Sequence, residues 1–552
     1  MIPVFSYDLV VDLANRYRSV THLASGSLYG LYDDSTPSDS LVIATKPTMF
    51  VQPPPGATHE PNVYDHPVGI VLDVDNKALR AGATVAIRMC DIFPTFPYHF
   101  VSIADWQSKV TTMISAWKAS GAGNLYAWEI YNEPDWTWDG NSIISFNELW
   151  KLTYNMIRSQ DPGAKIMGPA ISWYDATWMS NFLTYCKNNN CYPDIVCWHE
   201  LQGAWNIQGN INTYKALEAQ LGMYRPVSID EYVASGEDGR PGKITDYISG
   251  FERNTEIETA CLPFWSYCGT LGNILTSSNN QPNGAYWVMK WYGDMEGSMV
   301  WTAEPASMID GFSSINTNRD KAYVIFGGDG NQRVILKGFS NTSLGTRVHI
   351  YAEYTEWVGL NTQYSSPGFW FEGDYDVVND QVTIDVNNLN EYSAHRFTIT
   401  PTGSSSSGIQ SGHVYKLQNV NSSKVLGISG MSTSDGAQAL QWSDNGTADH
   451  EWTVTLLSNG YYKFTNVNSG KVLGISGMST SDGALALQWS DNGTADHEWS
   501  LVNLSGNTYK LVNRNSGKVL GISGMSTSDG ANALQWSDNG TTDHNWIFVF
   551  IR

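Results

Sequence analysis

Charged residues are scarce in this 552-residue chain. Asp, Glu, Lys and Arg together make up 16%, and 32 basic side chains face 54 acidic ones, for a formal charge of −22. The shortage of positive charge argues against a nucleic-acid or anionic-membrane partner, because so acidic a surface repels phosphate. Long apolar runs are missing too, since none approaches the roughly 18 residues of a membrane span. Met1 leads straight into IPVFSYDLVVDL without the basic segment that opens a signal peptide, as expected of a mature chain preceded by an added Met. Cysteine is limited to six residues, with no CxxC pair and no Cys/His spacing suited to zinc. Cys186 and Cys191 in YCKNNNCY are close enough for a small disulfide loop. Cys90, Cys197, Cys261 and Cys268 lie in or near apolar runs, as buried thiols do. No Gly-rich nucleotide fingerprint follows the first strand-like run, and GGDGN at 327–331 reads as a hairpin turn because neither Lys-Ser/Thr nor a helix follows it.

Aromatic side chains are plentiful, with 22 Trp and 29 Tyr, and hydrophobic residues reach 42%. That is a globular composition, and the length is too great for one core, so two to four domains are expected. The rings suit either large aromatic cores or stacking against the C–H faces of sugars.

The C-terminal region repeats. KVLGISGMSTSDGA starts at 424, 471 and 518, a spacing of 47 residues, and each copy runs on through LQWSDNGT into DHEW or DHNW. Three short β-rich units, each with one inward Trp, suit a three-fold closed fold. PTGSSSSGIQSG at 401–412 reads as a flexible linker. Between about 318 and 400, short alternating runs such as RVILKGF, RVHIYAEY and QVTIDV predict a small antiparallel β-sandwich. VFSYDLVVDL, within residues 1–18, is able to add a strand to it.

Residues 1–317 alternate strand and helix. The strand-like runs are SVTHLASG, TMFVQ, TVAIRM, YAWEIYN, KIMGPAIS, DIVCWHEL, PVSIDEY and CLPFWSY. Helical patterns lie between most of them, including SFNELWKLTYNMIRS, ATWMSNFLTYC, NTYKALEAQLG and KITDYISGFER. The early units are the least regular, with no clean helix after the first strand. Eight such units predict an α/β (β/α)8 TIM barrel, with an open doubly wound sheet as the alternative.

A barrel of this kind collects chemistry at the C-terminal ends of its strands. Those ends carry Arg88, then Asn132-Glu133, His199-Glu200, Asp230-Glu231-Tyr232, and Trp265 with Tyr267. Glu133 and Glu231 come from the fourth and seventh strands, which face each other across the mouth. Paired carboxyls suit glycoside hydrolysis, and a retaining enzyme holds them roughly 5–5.5 Å apart. Glu133 is expected to be the acid/base, with a pKa raised by the second carboxylate and by apolar walls such as Trp128 or Trp136. Glu231 is expected to be the nucleophile, kept ionised by Arg88 and Tyr267. Asn132 suits the hydroxyl next to the reacting carbon. Asp230 rivals Glu231, and alternation allows only one of them to face the mouth. Glu200 is a competing carboxylate, and His199 is either a sugar or carboxylate contact or a structural residue. HEL lacks the second His of a zinc motif, so no metal is expected. Trp136, Trp138 and Trp205 fall in loops after strands and read as subsites or packing. Arg16 and Arg18 in ANRYR read as a solvated segment.

Asn-Glu-Pro after the fourth strand and a Glu after the seventh resemble the clan A retaining glycoside hydrolases. WEIYNEPDW, DIVCWHEL and VSIDEY look most like glycoside hydrolase family 39, over about residues 1–400. The resemblance implies a (β/α)8 barrel with a β-sandwich beside it, Glu133 as acid/base, Glu231 as nucleophile, and a sugar platform at Trp265. Residues 413–552 resemble the ricin-type β-trefoil of family 13 carbohydrate-binding modules. In that family an early Asp, an aromatic and a later Asn or Gln make the sugar pocket. Here the early position is Gly427, Gly474 and Gly521, and the later Gln is His450, His497 and His544. Trp442, Trp489 and Trp536 remain as stacking platforms, and Asp449, Asp496 and Asp543 are candidates to replace the missing carboxylate. Trp452, Trp499 and Trp546 read as core.

The expectation is a secreted, monomeric, cofactor-free hydrolase with Arg88, Asn132, Trp136, His199, Glu200, Tyr232, Trp265 and Tyr267 around a polysaccharide substrate. The substrate expected is a plant cell-wall glycan with arabinose, galactose or xylose. The alternatives are endo-hydrolysis of a microbial exopolysaccharide and a non-catalytic carbohydrate-binding protein.

Overall fold

The computed structural model describes residues 8–57, 68–264, 268–303, 309–402, 409, 411–457, 459–505 and 508–551. The chain forms two compact units, Met1–Pro401 and Thr402–Arg552. No helix among the described residues is long and apolar enough to cross a membrane.

The first unit begins with β1 (Asp8–Ser19) and continues into eight parallel strands: β2 (Gly26–Leu28), β3 (Met49–Gln52), β4 (Thr84–Arg88), β5 (Leu125–Glu129), β6 (Ile166–Ile171), β7 (Ile195–Glu200), β8 (Val227–Tyr232) and β9 (Ile257–Pro263). These eight close into one barrel, β2 pairing with both β3 and β9. Helices α1 (Asp39–Ala44), α2 (Val71–Arg80), α3 (Ile103–Ser120), α4 (Pro134–Thr137), α5 (Phe146–Gln160), α6 (Ala176–Asn188), α7 (Ile207–Leu221), α8 (Pro241–Glu252) and α9 (Gly284–Asp294) lie between or after the strands.

Local chemistry sets the helix starts. Ser145 and Glu148 form a reciprocal capping box at α5, and the Ser102 and Asp175 side chains accept from the first turns of α3 and α6. Each such cap satisfies a backbone donor that the helix cannot satisfy itself. Gly121 and Gly222 end α3 and α7 in the left-handed conformation. The barrel strands are apolar on both faces because helices cover them outside and side chains fill them inside. Met49, Val51, Ala86, Ala127, Met167, Cys197 and Cys261 make the inner cluster.

The first barrel strand differs from expectation. SVTHLASG does not enter the barrel as a strand. Ser19 ends β1, Leu23–Ser25 form a 3-10 turn, and the barrel strand starts at Gly26. β1 instead belongs to a second sheet, pairing antiparallel with β10 (Ser298–Thr302) and, further on, parallel with β13 (Gly330–Lys337). The remaining members are β11 (Ile309–Ile315), β12 (Ala322–Gly328), β14 (Arg347–Thr355), β15 (Gly368–Asp376), β16 (Gln381–Leu389) and β17 (Ala394–Pro401). The order is β15-β14-β17-β12-β11-β10-β1-β13-β16. This sheet therefore takes in Ser298–Thr302 and Ile309–Ile315, which fall in the stretch expected to belong to the barrel. Leu9, Val11 and Leu13, alternate residues of β1, share one core with Val334, Leu336, Ile350 and Phe397 from both halves of the sheet. Alternation buries one face of each strand.

Arg18 is not solvated as expected: it pairs with Glu252 at the end of α8 and is only 14% exposed, whereas Arg16 is exposed. Cys186 and Cys191 are free thiols, both buried, rather than a disulfide. The other four cysteines are buried as well.

The second unit has four strands per 47-residue repeat, and its last strand, Trp546–Phe550, pairs with its first, Val414–Asn419. Trp452, Trp499 and Trp546 are fully buried, and each indole donates to a backbone carbonyl of its own repeat, at Leu426, Leu473 and Leu520. A buried indole needs such an acceptor. Most of the expected linker, 403–408 and 410, lies outside the described residues.

Candidate active site

The ends of β4, β5, β7 and β8 build one charged cluster at the barrel mouth. Arg88 closes β4 and is buried. Its Nε donates to Glu129 Oε1 at 2.6 Å, Nη1 to Glu231 Oε1 at 2.7 Å, and Nη2 to Asp230 Oδ2 at 2.9 Å. One planar cation thus satisfies three carboxylates, a geometry that lysine cannot supply. Glu129 was not foreseen. It is inward on β5 by the same alternation that buries Ala127 inside, while Trp128 turns outward and donates to Asp161. Trp128 therefore does not line the site.

Glu133 follows β5 and adopts φ +52, with its N–H donating to Ala170 O at 2.7 Å. Pro134 then starts α4. A left-handed Glu is a strained residue of the sort that clusters at functional positions. The turn aims the carboxylate back over the barrel. Trp136 Nε1 donates to Glu133 Oε2 at 2.7 Å, and His199 Nδ1 stands 3.2 Å from Glu133 Oε1. The same His199 Nδ1 is 3.4 Å from Glu231 Oε2, and its Nε2 is 3.7 Å from Asp230 Oδ1. His199 and Glu231 are register partners on β7 and β8. One oxygen from each of Glu133 and Glu231 and one His199 nitrogen lie within 4.8 Å of one another, the one set among the described residues spaced to hold a metal ion.

Asp230 and Glu231 both reach Arg88, so alternation does not choose between them. The pairing of β7 with β8 is irregular between Cys197 and His199, and Val233 just beyond has φ +104. A distorted strand end lets adjacent side chains share a mouth.

The electrostatics differ from expectation. Burial pushes Glu133 up, but the hydrogen bond and charge of His199, with the Trp136 bond, outweigh it and hold Glu133 below its ordinary value. Burial raises Glu231 against the pull of His199 and Arg88. Burial opposes charge on His199, yet Glu231 and Asp230 hold the imidazole well above its ordinary value. Burial also raises Glu129 well above the carboxylate range despite Arg88.

Other expected site residues fall as follows. Asn132 is buried beside Glu133, with Oδ1 lacking a partner among the described residues. Trp136 is half-exposed at the mouth. Glu200 is not in the site: it faces α7, accepting from Trp198 Nε1 at 2.8 Å and from Asn210 at 3.0 Å, and burial pushes it up to about 7. Period two on β7 turns His199 in and Glu200 out. Tyr232 is also outside the site, buried against Tyr247 and Phe251 with its hydroxyl on Ala24 O at 2.9 Å. Tyr232→Phe is expected to cost about 1 kcal/mol of stability and to leave KM as it is, as read by thermal unfolding beside substrate kinetics. Trp138 is core, packed on Phe100, Tyr131 and Phe146. Trp265 and Tyr267 lie outside the described residues.

In the second unit, Trp442, Trp489 and Trp536 are exposed, as stacking platforms require. Asp449, Asp496 and Asp543 are not the replacement carboxylates, because all three are buried in the short turns before the core tryptophans. A Cβ on Gly427 would lie 2.3 Å from His450 Cδ2. His450 thus occupies the room of the family's early Asp, which is why that position is glycine. The exposed carboxylates come from the neighbouring repeat: Ser443, next to Trp442, donates from its N–H to Asp529 at 2.7 Å, and Asp435 and Asp482 serve Ser490 and Ser537 likewise.

Comparison with known proteins agrees with this anatomy. A family described as Glycosyl hydrolase catalytic core matches residues 99–251, and one described as Ricin-type beta-trefoil lectin domain-like matches 393–489, 451–536 and 495–549. The solved structure of N2152 from Neocallimastix frontalis is 36% identical, with a TM-score of 0.67, covering 72% of this chain and 100% of that one. A 3-O-beta-L-arabinopyranosyl-alpha-L-arabinofuranosidase of Bifidobacterium pseudocatenulatum is 24% identical over 471 residues, 71% of this chain and 47% of that protein. A 3-O-alpha-D-galactosyl-alpha-L-arabinofuranosidase of Bifidobacterium longum subsp. longum is 23% identical over 500 residues, 76% of this chain and 42% of that protein. The chain spans less than half the length of these two curated relatives.

Proposed function

The chain belongs to the same family as N2152 from Neocallimastix frontalis, and we propose, with the support of the match to the Glycosyl hydrolase catalytic core, that its barrel is a retaining glycoside hydrolase acting on a polysaccharide. The observation that carries the reading is the approach of Glu133 and Glu231 to within 4.8 Å beneath one histidine. So close an approach of one oxygen from each supports double displacement, whose carboxyls stand roughly 5–5.5 Å apart, over inversion, whose carboxyls stand roughly 6.5–9.5 Å apart to admit a water. The finer likeness to glycoside hydrolase family 39 rests on WEIYNEPDW, DIVCWHEL and VSIDEY, while Asn132-Glu133-Pro134 and Glu231 support clan A.

Glu231 is the nucleophile. Arg88 fixes Oε1 and leaves Oε2 to attack the anomeric carbon. Glu133 protonates the departing oxygen, so the C–O electron pair leaves on the alcohol while the Glu231 ester forms. His199 Nδ1, 3.2 Å from Glu133 Oε1, supplies across that bond the proton that Glu133 passes to the departing oxygen, and takes one back at the end of the cycle once water has reprotonated Glu133. Water then attacks the ester, gives its proton to Glu133 and frees Glu231. Asn132 Oδ1 takes the neighbouring sugar hydroxyl.

Arabinose-, galactose- or xylose-containing glycans are the proposed substrates, supported by the names of the two bifidobacterial relatives. The trefoil rings add weak polymer contacts that act by avidity, and a polymer substrate favours action outside the cell by a monomer. A reducing-sugar screen over arabinogalactan, xylan and bacterial gums, run beside Glu231→Gln, tests the reading. Release from the first two by the wild type alone is expected. Release from the gums alone favours an exopolysaccharide endo-hydrolase, and equal inactivity of both proteins favours a binding protein.

A further inference from the structure

Six aromatic rings are exposed among the described residues of the barrel: Tyr32, Phe96, Trp136, Trp173, Trp205 and Tyr224. Five lie in the connections that follow strands, at the mouth, Trp136 within the short α4, and Tyr224 lies on the opposite face.

Three of the five belong to successive loops after β5, β6 and β7, which are adjacent staves. Trp136 touches Glu133 and meets Phe96 edge-on at 5.5 Å. Trp173 is tied to the same loop, because Ser172 donates its N–H to Asp135 at 3.0 Å and its hydroxyl to the other Asp135 oxygen. Trp205 is 82% exposed, yet its indole is seated. A Cβ on Gly203, at φ +109, would lie 2.6 Å from Trp205 Nε1. The glycine both makes the turn and clears the surface on which the ring lies. A flat ring ordered in water is a platform for the apolar face of a pyranose or furanose.

We propose that Trp173 and Trp205 extend the site away from Glu133 as two stacking subsites for the leaving-group side of the substrate, so that the enzyme takes a glycan chain with further sugar units beyond the cleaved bond. The proposal rests on the acid role given to Glu133. The departing oxygen is bound where the acid is, and the Trp173 loop is joined to the Glu133 loop through Asp135, so the part of the chain that leaves meets Trp173 first and Trp205, on the next stave, beyond it. The polar partners of Glu231 are Arg88 and His199, so the contribution of the two rings belongs to binding of the chain.

The test compares arabinogalactan with para-nitrophenyl α-L-arabinofuranoside on the full-length protein carrying Trp173→Ala, Trp205→Ala or both. The ratio of kcat/KM for the polymer to that for the aryl glycoside is expected to fall at least tenfold in the double variant, chiefly through KM for the polymer. Trp301→Ala, an exposed ring of the second sheet, controls for loss of surface aromatics. In a native gel containing arabinogalactan, Glu231→Gln is expected to be retarded more than the same protein with both tryptophans replaced. An unchanged ratio, or equal retardation in the gel, overturns the track. Activity retained in Glu231→Gln together with a fallen ratio overturns the carboxylate pair and leaves the track standing.

Discussion

Replacing Glu231 by glutamine is expected to lower kcat on any accepted glycoside by at least ~10³-fold, because removing a nucleophile abolishes the covalent route and leaves binding and the acid alone. The change is nearly isosteric and keeps an oxygen for Arg88 Nη1, now 2.7 Å from Glu231 Oε1, so the fold should survive with a circular dichroism spectrum like that of the wild type. Asp230 is the internal rival. It touches Arg88 and His199 from a fully buried position. Asp230→Asn is therefore expected to cost much less, through loosened positioning of those two cations. Steady-state kinetics on the two variants side by side separate the assignments, and a larger loss in Asp230→Asn would reverse them.

Arg88→Ala should damage stability and activity together. It leaves Glu129, Asp230 and Glu231 buried without their shared cation. Stranding buried charge costs roughly 3–5 kcal/mol, to be read in the barrel's unfolding transition in denaturant. The catalytic effect has a definite sign. Burial already raises Glu231, and Arg88 opposes the rise. Without Arg88 the carboxyl climbs further, a smaller fraction is ionised at a given pH, and the acid limb of kcat/KM moves to higher pH. Arg88→Lys restores charge but not the three-way fork, so it should recover part of the stability and little of the pH profile. An Arg88→Ala protein with wild-type stability and an unmoved acid limb would show that the cluster does not work as described.

Much of this was legible in the sequence, for reasons that can be named. Barrel strands announce themselves as apolar runs, and the polar residues that end them stand out, which is how Arg88, Glu133, His199 and Glu231 could be listed together. The trefoil was legible because three near-identical copies repeat. What failed was whatever depends on which way one side chain turns at the end of a strand. Glu200 and Tyr232 sit one residue past inward positions and face the helices instead. Asp230 and Glu231 defeat the alternation rule because the strand end is irregular. Glu129 carried the right signal, inward parity on β5, but was hidden inside WEIYNEP. The N-terminal SVTHLASG looked like a barrel strand because β1 and the following turn are both apolar in part, and only long-range pairing with β10 and β13 removes them. In the trefoil, a buried Asp beside an inward His was indistinguishable in sequence from an exposed one.

Trapping the intermediate tests the central claim most directly. An activated 2-fluoro glycoside of the accepted sugar slows release of the covalent ester, and peptide mapping by mass spectrometry locates the adduct. The expected result is a single glycosyl label on Glu231, absent from Glu231→Gln. A label on Glu133, Asp230 or Glu200, or turnover with inverted anomeric configuration and no label, would contradict the account.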